Sequence, residues 1–225
     1  MENLEKELHK EFQLERMILF TDAVFAIAIT LLAIELKVPE IHSISAGESI
    51  DAAIGHHLWE MTPKFVGFLV TFFVIAQYWT VHHRLFGYLH SYSTKLLWAN
   101  IFFLLGIVLL PFSTAFYSDY FFSNAKVPFA FYLGNILLVA SMNTRLWRII
   151  ANPKYKLSKL DRKTVFVKYY ITRSYLVPTA FLLSFILSFV SLWASALMLW
   201  AMPFYGMIVT RYFKKKHNFE PERRH

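Results

Sequence analysis

Residues 16–38 read RMILFTDAVFAIAITLLAIELKV. The run is apolar and long enough for a helix to cross hydrocarbon, which takes about 20 mostly apolar residues. Arg16 stands at its mouth and Asp22 lies inside it. A carboxylate within such a span is costly, so it faces protein or water and takes a partner. This one stretch therefore predicts a membrane helix with a buried polar contact.

The rest of the chain agrees. It has 225 residues, of which 56% are hydrophobic and 18% aromatic, with 23 Phe and 7 Gly. Soluble domains are nearer about 45–50% apolar. The expectation is an all-α integral membrane protein, with 1–225 as a single transmembrane domain. Further apolar runs fall at about 62–83, 95–117, 127–147, 173–190 and 192–212, which makes six spans. The last two form a tight antiparallel pair joined around Phe189 to Leu192. Pro178 and Pro203 are the expected kink points.

Cysteine is absent, which excludes disulfides, thiolate catalysis and thiolate metal sites. The N-terminal MENLEKELHKEFQLER is mixed in charge and reads as helical, not as a signal peptide. The net charge of +8 is not read as a nucleic-acid signal, because the basic residues cluster between and after apolar runs. Arg84 and Lys95 occupy the second loop. Arg148, Lys154, Lys156, Lys159, Arg162, Lys163 and Lys168 crowd the fourth. The first, third and fifth loops are nearly bare, so both termini are expected in the cytoplasm. The loop from Pro39 to Glu60, with Glu40, Glu48 and Asp51, reads as an exposed turn or short helix.

On the first helix, Ile27, Leu31 and Ile34 follow i, i+4, i+7 spacing and make one narrow stripe, with Thr30 beside it. The stripe fits a packing seam, and it also fits a pore lining whose aliphatic constriction gates by dewetting. Asp22 lies about 140° around the helix from Ile27. Its side carries Ala26, Ile29 and Ala33, small enough for close helix packing. Arg16, Arg84, His82 and His83 lie at the same ends of spans one and two and are its candidate partners. One reading makes Asp22 a lock between spans. The other makes it an ion or proton site.

Arg16, Phe20, Thr21 and Asp22, within RMILFTD and followed by AVFAIAITLL, resemble the first-helix motif of the transmembrane protein 175 family in its short prokaryotic form. QYWTVHHRLF at 77–86 and the run from Asn100 to Phe112 are further echoes. The resemblance implies a potassium-permeable cation channel, passing rubidium and caesium too. It implies a homotetramer in a bacterial inner (plasma) membrane, with the pore lined by the first helix of each chain. By motif position, Ile27, Leu31 and Ile34 would form the constriction and Thr30 a selectivity ring. Arg16, Phe20, Thr21 and Asp22 would join His82 or His83 and Trp79 or Trp98 in a structural network.

The chain has no TVGYG-like loop, so selection by a ring of filter carbonyls is excluded. Phosphate-loop, HExxH and GxSxG motifs are absent as well, and no enzyme, cofactor or metal site is expected. Adjacent His82 and His83 point to different helix faces, a poor arrangement for one metal. The competing readings are a proton-coupled or secondary transporter working through Asp22, and a structural membrane subunit.

Overall fold

In the computed structural model the chain is described over residues 2–38, 49–123, 125–191, 194–195, 197–198 and 201–218. Its helices are α1 (Glu2–Ile34), α2 (Ile50–Glu60), α3 (Thr62–Phe86), α4 (Thr94–Asp119), α5 (Lys126–Ile150), α6 (Val165–Ser174), α7 (Leu176–Leu187) and α8 (Met202–His217). Among the described residues there is no strand, only an isolated bridge between Leu89 and Ser158.

Among the described residues five stretches are long and apolar enough to cross a membrane: Leu8–Ile34, α3, α4, α5 and the joined α6–α7, Val165–Leu187. The N-terminal segment runs into the first span as one continuous helix. The sixth expected run, 192–212, lies partly outside the described residues, as do Glu40, Glu48, Arg223 and Arg224; α8 covers its second half.

Side-chain caps mark several starts. Ser49 accepts from the Ala52 amide at 3.2 Å and Ser93 from the Leu96 amide at 3.2 Å, each satisfying a first-turn N–H. α2 ends at Glu60 and α3 begins at Thr62, with proline in its first turn, where no N–H is missed.

The fifth span begins at Val165, earlier than the expected 173. By sequence Lys168 goes with the fourth loop and Arg173 is the first residue of the span, yet both sit on α6. The break between α6 and α7 has a local cause. Pro178 has no N–H to give the Ser174 carbonyl four residues back, and its ring crowds that oxygen. The Tyr175 amide turns instead to Thr172 O at 3.2 Å, and the next turn resumes with Thr179 bonded to Tyr175 O at 3.1 Å.

α4 is the central helix, packed most extensively on α5 and also on α1 and α3. Phe103, Ile107 and Leu110 of α4 are buried with Ile136, Val139 and Trp147 of α5. Gly106 permits this approach: a Cβ there would lie 2.7 Å from Val139 Cγ2. Polar side chains tie the same helices. Thr114 donates to Leu110 O at 2.7 Å, so its oxygen accepts from Thr71 at 2.8 Å, and Thr71 accepts from Tyr132 at 3.0 Å. Each hydroxyl thus spends its one proton, as burial in an apolar surround requires.

At the basic end, the fourth loop is fastened. The His90 amide donates to Leu157 O at 3.0 Å, Leu157 is buried, and Ser158 donates to Ile150 O at 2.7 Å. Arg162 donates to the Arg148 carbonyl at 2.8 Å through Nε and again through Nη2. At the other end Lys64 pairs with Asp119 at 2.7 Å, a half-exposed ion pair worth about 0–1 kcal/mol.

Candidate functional site

The two sides of α1 differ sharply. Met17, Thr21, Phe25, Ala28 and Leu32 recur every three to four residues and are buried against α3 and α4. Ile27, Leu31 and Ile34 are 57%, 38% and 68% exposed. Thr30 is also exposed, with its hydroxyl donating to Ile27 O at 2.9 Å. That leaves the oxygen lone pairs of Thr30 toward the open side. On the flank of Asp22, Ala26 and Ala33 are exposed and Ile29 is half-buried. Within one chain α1 therefore presents an aliphatic stripe and a small-residue flank that no described residue covers.

The buried side carries an ordered polar relay. Thr21 donates to Met17 O at 2.8 Å, so its oxygen is the acceptor for Asn100 Nδ2, also at 2.8 Å. Asn100 Oδ1 must then accept from His82 Nε2, 2.9 Å away, which places the imidazole proton on Nε2. Thr21 and Asn100 are fully buried and His82 is 2% exposed. The His82 ring lies between Phe86 and Phe103, with centroids at 3.7 and 5.5 Å. Asp22, half-buried at the edge of this relay, accepts from Trp79 Nε1 at 3.0 Å, and Trp79 stacks on His83 at 5.4 Å. Among the described residues no metal-ligand cluster occurs.

The structure brings together Thr21, Asp22, Trp79, His82 and His83 of the expected network. Arg16 is exposed, 5.7 Å over the Phe12 ring, with no carboxylate partner among the described residues. Phe20 and Trp98 are exposed and stand apart from the relay. Arg84, a candidate partner of Asp22, donates instead to Tyr170 at 2.7 Å. Trp79 and Arg84 are five residues apart, about 140° around α3, so only one can face α1. The sequence reading gives Asn100 no role of its own, yet it bridges α1 and α3 from α4. A lone amide inside the apolar run TKLLWANIFFLLG was its signal, since such groups in spans hydrogen-bond across helices.

A bundle of apolar helices tied by interhelical polar bonds, with an uncovered stripe on one of them, defines a polytopic α-helical membrane protein. The sequence profile described as endosomal/lysosomal potassium channel TMEM175 matches residues 16–111. A potassium channel of Chamaesiphon minutus is 33% identical over 192 residues, covering 84% of this chain and 91% of that one. A potassium channel of a Chryseobacterium species is 31% identical over 145 residues, covering 64% and 69%. The crystal structure of a lysosomal potassium-selective channel TMEM175 homologue from Chamaesiphon minutus superposes with a TM-score of 0.70 at 29% identity, over 87% of this chain and 97% of that one. The chain belongs to the TMEM175 family.

Proposed function

We propose that this chain is one subunit of a potassium-permeable cation channel, a homotetramer in which α1 of each copy lines the pore. The observation that carries the reading is the exposure of Ile27, Leu31 and Ile34 on a helix whose opposite face is fully packed. Four such stripes facing one axis make a hydrophobic constriction able to gate by dewetting. Thr30 beside it supplies a ring of oxygens. The exposed Ala26 and Ala33 flank then meets a neighbouring copy, as small residues do between membrane helices. The relay of Thr21, Asn100 and His82, with the Asp22–Trp79 bond, fixes the rotation of α1 that aims the stripe.

The reading includes six spans, both termini in the cytoplasm, and an inner-membrane location. Potassium, rubidium and caesium pass. Selection over sodium is modest, since branched aliphatics offer no coordinating oxygen. A carrier using Asp22 finds no support in the geometry: that carboxylate is engaged by Trp79 at the edge of a packed relay.

The test is cation flux into proteoliposomes, potassium against sodium, for wild type, Ile27→Asn and Thr30→Ala. Ile27→Asn is expected to wet the constriction and raise flux, and Thr30→Ala to lower the potassium preference. Wild-type flux and selectivity in both variants would refute a pore on this face.

A further inference from the structure

Away from α1, a cavity of about 650 Å³ opens between α3, α5 and the α6–α8 helices. That is ample for a small ligand or a lipid headgroup with its first chain segments. Arg84 from the last turn of α3 and Arg173 from the last turn of α6 both line it. Among the described residues no carboxylate lines the cavity, and neither arginine has an acidic partner. Each is steadied by a phenol: Arg84 donates to Tyr170 at 2.7 Å and Arg173 to Tyr169 at 2.9 Å. A guanidinium has five N–H donors, so most of each fork is uncommitted by these bonds.

A second observation points the same way. Among the described residues, Tyr78 Oη and Asn143 Oδ1 have no hydrogen-bond partner; both residues line the cavity, with these two atoms just behind its surface, and are 4% and 1% exposed. Buried polar groups are ordinarily satisfied, and each exception calls for an explanation such as a missing ligand or water. Cations set in a span without a counter-ion likewise mark a binding site.

The wall also has a graded polarity. The arginines sit at the end of the bundle where Arg145, Arg148 and Lys168 collect. Phe73, 66% exposed, lies about 16 Å further along α3 from Arg84. We propose that this cavity binds the phosphate of an anionic phospholipid, clamped by Arg84 and Arg173, with its acyl chain running along Phe73 and Val177. Basic pockets between membrane helices hold acidic headgroups in this way. The site shares no residue with the α1 stripe, so it stands apart from what the pore conducts.

Native mass spectrometry of the full chain with phosphatidylglycerol or phosphatidylcholine tests it. Wild type should retain phosphatidylglycerol preferentially. Arg84→Gln and Arg173→Gln should each reduce that preference about fivefold, and Arg145→Gln, the same charge change outside the cavity, should leave it unchanged. Equal behaviour of all three variants would overturn the proposal. So would displacement of the lipid by millimolar inorganic phosphate, which would make a free anion the ligand. Preference in dispersed chains that vanishes in the oligomer would assign the cavity to a second copy and overturn it as well. Melting without added lipid checks the fold, and Arg173→Gln, at an exposed position, carries the test should Arg84→Gln not fold.

Discussion

α1 and α4 are both strongly apolar, yet 28% of the most apolar window of α1 is buried against 56% for α4. Hydropathy assigns both to the membrane and says nothing more. The difference lies in what each finds around it: α4 is packed by α1, α3 and α5 and leaves a stripe of Trp98, Phe102, Leu105, Val108 and Phe112 open, whereas the uncovered side of α1 is broader. In a bilayer an uncovered aliphatic face is no penalty, because lipid is as apolar as leucine. Both covered faces carry buried polar groups, and the bond from Asn100 of α4 to Thr21 holds α1 in one rotation.

Substitutions at three positions test that contrast. The largest loss is expected from Gly106→Val, which drives two methyls into Val139 across the α4–α5 seam; such overpacking costs about 3 kcal/mol, read as a lower melting temperature in detergent. Asn100→Ala should follow at about 2 kcal/mol, because it strands buried His82 Nε2 and leaves Thr21 without its donor. Asn100→Asp would not restore the donation to Thr21, so a full rescue by it would count against the relay as drawn. Ile34→Ala should change the melting of dispersed single chains by less than about 0.5 kcal/mol, as surface changes do. A loss there as large as that of Gly106→Val would make the stripe a seam within the chain and erase the contrast.

Much of this was legible from residues alone. The spans over α3, α4 and α5 follow from hydropathy, and the stripe on α1 from helical spacing. The azimuth of partners was not. Depth placed Arg84 level with Asp22, but only the packing of α3 shows that Trp79 takes the α1 side and Arg84 the α6 side. The start of the fifth span was hidden for a chemical reason. Lys163 and Lys168 set 163–172 with the basic fourth loop, while Tyr169 on the same stretch is 1% exposed and accepts from Arg173, a placement no window average detects. Asn100 was visible as an odd residue and invisible as a hub, since its two partners lie 18 and 79 residues away.

The bridge between Leu89 and Ser158 has a mechanical side. Alternating-access carriers rock one half of the molecule against the other about a central site. Here the loop after α3 is stitched by backbone to the loop after α5, and buried Leu157 pins the stitch. With α4 and α5 already interlocked through Gly106, the two halves are a single frame at that end. On the proposed pore reading, movement that opens or closes a path falls to local adjustment of α1, the motion of a valve stem rather than of a rocker.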